Sequence, residues 1–182
     1  HVDSKTILRI INNNFSASSD FKLISKSDVI IIAVPTPLGK HNEPDLSFIH
    51  RTLDLIKPYL KENQIIILES TTYPGTTDEE IVPFIESLKI SSKNTKNFII
   101  GKNYYIGYSP EREDPGNPSY STKTIPKIVS GVTKKCLNLC EMLYSKIIDK
   151  TVPVSSVKAA EMTKILENTY RAVNIGLVNE LK

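Results

Sequence analysis

Residues 27–37, SDVIIIAVPTP, decide the fold. Val29 to Val34 is an unbroken apolar run, rich in β-branched side chains. A strand with one wetted face alternates apolar and polar residues. A run without polar interruptions is expected to be buried on both faces, as in a parallel sheet covered by helices on each side. Pro35 and Pro37 end the run, because a proline nitrogen has no hydrogen to give to a sheet ladder. Thr36 therefore sits in a turn at the carboxyl end of a strand.

Working outward, the pattern repeats. A polar loop, Gly39–Pro44, leads to Asp45 as a helix cap and an amphipathic helix over Leu46–Leu60. Gln64–Glu69 is the second strand and closes in the turn STTYPGTT (70–77). A helix is expected from about Thr77–Glu80 to Leu88, with acids in its first turn favoured by the helix dipole. Ser91–Asn97 reads as a polar loop, and Tyr104–Tyr108 as a third strand ending at Ser109-Pro110-Glu111-Arg112. The Pro-, Ser- and Gly-rich segment Glu113–Thr124 is expected to be a loop or lid. Lys127–Val129, Lys134–Ile147 and Thr151–Val154 complete a strand, a helix and a short strand. Toward the amino end, residues 1–14 carry a weak helical period, and Asp20 is placed to cap a short helix to Ser25.

Strands alternating with helices imply an α/β fold with a parallel sheet and right-handed crossovers. Ligands of such sheets bind beyond the carboxyl ends of the strands. The turns at 35–37, 70–72 and 109–112 should all open onto one crevice there.

The last stretch, Ser155–Lys182, reads as one long helix. At about 100° per residue, Met162, Ile165, Leu166, Thr169, Ala172, Val173, Gly176 and Leu177 form an apolar arc. Glu161, Lys164, Asn168, Arg171 and Asn179 line the opposite stripe. Side chains one turn apart stack on the same edge. A cation, an amide and a guanidinium so stacked suit an anionic, hydrogen-bonding ligand; an ordinary solvated face would show the same pattern. Glu180 falls inside the apolar arc and is expected to meet a buried partner.

The chain has 182 residues, 40% hydrophobic and 24% charged, with a net charge of +3. That suits a domain with a real core, and dispersed lysines at so small a charge argue against nucleic-acid binding. No apolar run approaches a membrane span and no signal-peptide pattern opens the chain, so a cytoplasmic location is expected. Cys136 and Cys140 read as reduced thiols partly buried in a helix, since no second ligand pair suggests a metal. The three histidines, His1, His41 and His50, are expected at the surface. No initiator Met is present and the strongest helix runs into the last residue, so the chain is expected to be an internal piece of a longer protein.

No GxGxxG, GxSxG or HExxH motif occurs. The chemistry-bearing candidates are strand-end or helix-edge residues. Thr71 can orient a water or ligand, and otherwise simply forms a turn. Glu111 can act as a base or bind a hydroxyl, and otherwise pairs with Arg112. Lys164 and Asn168, one turn apart, can address one developing oxyanion.

Four blocks give these residues a context: AVPTPL (33–38), ESTTYPGTT (69–77), SPEREDPGN (109–117) and AAEMTKILENTYRAVNIGLVNELK (159–182). In this order they resemble the UDP-glucose/GDP-mannose dehydrogenase family, across essentially the whole chain. EREDPGN, IPKIVSG (125–131) and ENTYRAVNIGLVNE look most like its UDP-N-acetylglucosamine 6-dehydrogenase branch; Pro115 stands where UDP-glucose enzymes carry a second glutamate. The resemblance implies a partial Rossmann-like domain over residues 1–154, and the start of a central helical, dimer-forming domain over 155–182. It further implies oxidation of a UDP-sugar C6 alcohol to the carboxylate by two successive hydride transfers to NAD, for surface polysaccharide precursors. Thr71, Glu111, Lys164 and Asn168 correspond to catalytic positions. Pro35, Thr36 and Thr71 would lie along NAD. Glu111, Arg112, Lys164, Asn168 and Arg171 would face the substrate. The family's glycine-rich start, its nucleophilic-cysteine block and its UDP-binding domain have no counterpart here, so the chain alone is expected to be inactive. Other readings are a UDP-N-acetylmannosamine or UDP-glucose dehydrogenase, a non-catalytic nucleotide-binding paralogue, and a hydroxyacid dehydrogenase relative.

Overall fold

A computed structural model describes residues 4–11, 15–41, 43–91, 94–111 and 123–182. In chain order the elements are α1 (Ser4–Ile11), a 3-10 turn (Phe21–Lys26), β1 (Val29–Ile32), α2 (Ser47–Ile56) and β2 (Ile65–Leu68). A π-helical turn (Thr77–Ile81) then runs into α3 (Val82–Ser87), followed by β3 (Lys89–Ser91), β4 (Asn94–Asn97) and β5 (Tyr105–Tyr108). The chain continues through β6 (Lys127–Gly131), α4 (Lys134–Tyr144), β7 (Thr151–Pro153) and α5 (Val157–Glu180).

The main sheet has the order β1-β2-β5-β6-β7. β1, β2 and β5 are parallel, with Ile32 beside Leu68 and Leu68 beside Tyr108, so their carboxyl ends share one edge. The expectation of a wholly parallel sheet needs correcting at the next strand. β6 runs antiparallel to β5, with Gly107 opposite Gly131, and β7 is parallel to β6. The fourth strand starts beside the end of the third, so no crossover back over the sheet is needed. Ser109 Oγ donates to Ile128 O and Ser130 Oγ to Tyr108 O, both at 2.7 Å, stitching this pair across its buried side.

Alternate residues of each strand feed two cores. Ile30, Ile32, Ile66, Leu68, Ile106, Tyr108 and Ile128 pack with α2, the π turn, α3 and the first turn of α5. Ile65, Ile67, Tyr105 and Val129 pack against Cys136, Leu137, Cys140 and Tyr144 of α4. That helix lies so close to the sheet that a Cβ at Gly131 would stand 2.1 Å from the Leu137 nitrogen. β2 and β5 are buried on both faces as expected. β1 is not: it is the edge strand, where Val29 is only partly buried against the α4-side core and Ile31 is 47% exposed.

Two further details differ from the sequence reading. The 91–97 stretch is not all loop, because β3 and β4 pair as a small antiparallel ribbon without any apolar alternation to announce it. The cap position of α2 is Leu46, while Asp45 Oδ1 accepts from Ser47 N at 2.9 Å and so serves the helix from one residue earlier. Asp20 does cap its short helix, accepting from Lys22 N. Both cysteines are free and buried in α4. His41 and His50 are exposed, as expected, and His1 lies outside the described residues.

Among the described residues, no helix is long and apolar enough to cross a membrane.

Candidate active site

At the shared carboxyl edge, the first two turns are tied together. Thr36 Oγ1 donates to the Thr71 carbonyl at 2.5 Å, and Ser70 Oγ to the Val34 carbonyl at 2.7 Å. The Pro35–Thr36 turn is thereby locked to the Ser70–Thr72 turn, with the side chains of Pro35 and Thr71 left exposed at the rim. The third turn joins through Ser109, whose N–H donates to Leu68 O at 3.0 Å. Pro110 and Glu111 follow directly, so three strand ends do converge.

α5 closes the crevice from one side. Ser156 caps it, accepting from Ala159 N. Only Val157, Ala160 and Glu161 of this helix are fully buried. Lys164, one turn on, is half-buried and donates from Nζ to the Glu111 carbonyl at 2.7 Å. The Glu111 carboxylate is itself exposed. Another turn along, Arg171 Nη2 donates to Asn168 Oδ1 at 2.7 Å, which fixes the amide so that Nδ2 is the donor Asn168 turns to other groups. The predicted edge thus meets the predicted strand-end turn at Lys164, while Asn168 and Arg171 are exposed beyond it. Arg112, most of the lid expected at 113–124, and Pro115 and Gly116 of the third block lie outside the described residues.

The helix wheel put Glu161 on the same polar stripe as Lys164, but it is fully buried. Its Oε2 accepts from Gly75 N at 2.6 Å, and its Oε1 from Thr77 N at 2.9 Å and Thr77 Oγ1 at 2.7 Å. Burial pushes the Glu161 carboxyl above its ordinary value, and these hydrogen bonds, Thr77 Oγ1 foremost, oppose that shift. Two buried hydroxyls nearby, Thr72 Oγ1 and Tyr108 OH, have no hydrogen-bond partner of normal geometry among the described residues.

On the α4 side, a second group was not legible in the sequence. Lys127, 9% exposed, pairs with Glu69 at 3.1 Å and donates to the Pro110 carbonyl at 3.3 Å. Its Nζ stands 4.9 Å from the centre of the Tyr144 ring, and Tyr144 OH donates to Glu69 Oε1. Glu69, Lys127 and Tyr144, with Glu111, Ile125 and Ile148, line a cavity of about 270 Å³. The residue just before Glu111 is therefore held by a buried ion pair, and Glu111 itself by Lys164.

The rim fits one half of a dinucleotide. Exposed Pro35 and Thr71 and the half-buried Thr36 offer a compact apolar ring and hydroxyls at the parallel strand ends, where ligands of such sheets bind. No glycine-rich turn is present to receive a pyrophosphate.

Residues 4–148 match the model of the UDP-glucose/GDP-mannose dehydrogenase family, NAD binding domain. The chain is 40% identical over 174 residues to the protein CapL of Staphylococcus aureus, covering 95% of this chain and 39% of that protein. It is 39% identical over 159 residues to the UDP-N-acetyl-D-glucosamine 6-dehydrogenase of Pseudomonas aeruginosa, covering 87% and 36%. Among solved structures, the UDP-N-acetyl-mannosamine dehydrogenase Cap5O of S. aureus matches with a TM-score of 0.73 at 40% identity, covering 85% of this chain and 36% of that one. The chain thus spans less than two-fifths of the curated relatives it matches.

Proposed function

The chain belongs to the UDP-glucose/GDP-mannose dehydrogenase family, and from that premise we propose that it supplies nicotinamide-side and oxyanion-side residues of a UDP-sugar 6-dehydrogenase. The observation that carries this reading is the Lys164–Glu111 contact, which sets a fixed cation beside the strand-end turns. Bound NAD would supply the hydride acceptor for oxidation at the sugar C6, with Pro35, Thr36 and Thr71 along it. The residues of this chain act around that transfer. Lys164 Nζ and Asn168 Nδ2 stabilise negative charge developing on the C6 oxygen, each worth a few kcal/mol in a site of this kind. The Glu111 carboxylate accepts or returns the proton of the C6 hydroxyl or of an attacking water. Thr71, its carbonyl engaged by Thr36, presents its hydroxyl to the same region. Arg171 holds the Asn168 amide in its donating orientation, and Arg112 is assigned to the substrate by its place in the third block.

UDP-N-acetylglucosamine is the favoured sugar, on the wording of EREDPGN and IPKIVSG and on Pro115. UDP-N-acetylmannosamine is the second reading, because the chain is as similar to the solved mannosamine enzyme as to the glucosamine enzyme. A cytoplasmic homodimer joined along α5, serving surface polysaccharide synthesis, completes the proposal; the exposed apolar arc of that helix supports the joint.

The test is NADH formed per sugar by the whole protein that carries this chain, with UDP-N-acetylglucosamine, UDP-N-acetylmannosamine and UDP-glucose. Two NADH per sugar, falling roughly 10²–10³-fold in rate in Lys164→Ala, is the expected result. No NADH from any of the three overturns it.

A further inference from the structure

α5 is a lever held at one end. Val157, Ala160 and Glu161 are buried, whereas Met162, Leu166, Val173 and Leu177, further along, are between 48% and 63% exposed. Packing of Val157 and Ala160 is non-directional and tolerates rotation about the helix axis. Hydrogen bonds do not. Glu161 makes three with one turn more than eighty residues earlier in the chain.

That turn is built to meet it. Gly75 takes φ +114°, a left-handed conformation that a side chain would resist, and a Cβ there would press within 2.8 Å of the Glu79 carboxylate. The π turn that follows has no side-chain cap of its own from Thr76. Glu161 provides one from another helix, taking both the N–H and the hydroxyl of Thr77. An apolar residue at 161 would pack equally well but would leave two buried N–H groups without an acceptor. The exposed Lys158–Glu79 pair, at 2.8 Å, adds a weak second tie.

We propose that Glu161 is a positioning residue, whose clamp on Gly75 and Thr77 sets the Lys164–Asn168 edge of α5 over the Thr71 turn. The proposal rests on the reaction assigned above. Lys164 lies one turn from the clamp and Thr71 four residues before Gly75. Clamp, cation and strand-end hydroxyl thus form one short connection. A side-chain head about 6 Å off a helix axis moves roughly 2 Å when the helix rotates by about 20°. Misplacement by about 1 Å can cost a reaction roughly 10²-fold.

The test uses the whole protein with Glu161→Gln, Thr77→Val and Thr77→Ser. Glutamine keeps the shape of Glu161 but turns an amino group toward an N–H donor. Glu161→Gln should lower kcat by roughly 10²-fold, while the NAD Kd and sugar KM stay within about threefold. Amide exchange at Gly75 and Thr77 should accelerate. Thr77→Val should lower kcat by a smaller factor, and Thr77→Ser should restore it. If kcat in Glu161→Gln stays within about threefold, the proposal is overturned. It is equally overturned if kcat, NAD affinity and Tm decline together, the signature of a merely structural role. Should Glu161→Gln not fold, unchanged kcat in Thr77→Val overturns it instead. A wild-type protein that makes no NADH would refute the assigned reaction. Unaltered exchange at Gly75 and Thr77 in Glu161→Gln would refute the clamp independently.

Discussion

Replacing Lys127 by Met isolates the buried pair behind Glu111. The side chains of Lys127 and Glu69 are 11% and 19% exposed and stand 3.1 Å apart. At an effective dielectric constant of about 20, Coulomb's law gives roughly 5 kcal/mol of attraction at that distance. Desolvation of the two charges cancels much of this, so the pair contributes little net stability compared with an apolar pair of equal volume. Breaking it from one side is another matter. Lys127→Met leaves Glu69 with Tyr144 OH as its side-chain partner among the described residues, removes the Lys127 donor from the Pro110 carbonyl, and removes the cation over the Tyr144 ring. The expected cost is about 2–4 kcal/mol, below the figure for a fully buried charge because Glu69 keeps some access to water.

The Lys127→Met, Glu69→Met double variant should recover most of that loss, ending within about 1 kcal/mol of wild type. The two substitutions should therefore couple by about 2–3 kcal/mol in a double-mutant cycle. Urea unfolding of the whole protein, read by midpoints at unchanged m, measures it. Simple additivity, or a Lys127→Met cost under about 0.5 kcal/mol, would refute the reasoning.

Three other perturbations have definite outcomes. Gly131→Ala drives a Cβ into backbone, 2.1 Å from Leu137 N and 2.5 Å from Cys136 C, so α4 must lift from the sheet; a loss of about 3 kcal/mol is expected on thermal melting. Val173→Glu with Leu177→Glu places charges on faces that are 63% and 56% exposed; the isolated domain should keep its melting temperature while the whole protein sediments as a monomer rather than a dimer. The third concerns pH. Burial raises the Glu161 carboxyl, so it binds its proton more tightly folded than unfolded. Its contribution to stability therefore falls as pH rises from the ordinary 4.5 through the raised value, and is level above. Glu161→Gln should flatten that part of the stability–pH curve and leave the rest unchanged.

How much of this was legible in the sequence depended on whether a signal was local. The runs Val29–Val34 and Ile65–Leu68 announced strands through their own residues, and the prolines and serines that end them located the crevice. Strand direction is not a local property. Nothing in Lys127–Gly131 says that it runs against β5, and only the pairing of Gly107 with Gly131 shows it. The Glu69–Lys127–Tyr144 group joins a strand end, a strand start and a helix, so no spacing rule brings it together.

α5 is the instructive case, because its wheel sorted the residues correctly into sectors and yet could not say which sector faces inward. Amphipathic helices ordinarily turn their apolar face to the core. Here the first turns bury Glu161 beside the apolar Val157 and Ala160, and the reason lies in what they meet. The carboxyl edge of the sheet ends in turns whose Gly75 and Thr77 N–H groups need an acceptor, and whose Glu111 carbonyl takes a donor. Glu161 and Lys164 satisfy those needs, one as acceptor and one as donor, and an apolar face could satisfy none of them. From Asn168 onward α5 is exposed all round, polar stripe and apolar arc alike, and Glu180, expected beside a buried partner, is exposed with them. Disrupting the clamp at Glu161 should therefore be felt first at Lys164, one turn along, where the helix edge meets the Glu111 carbonyl.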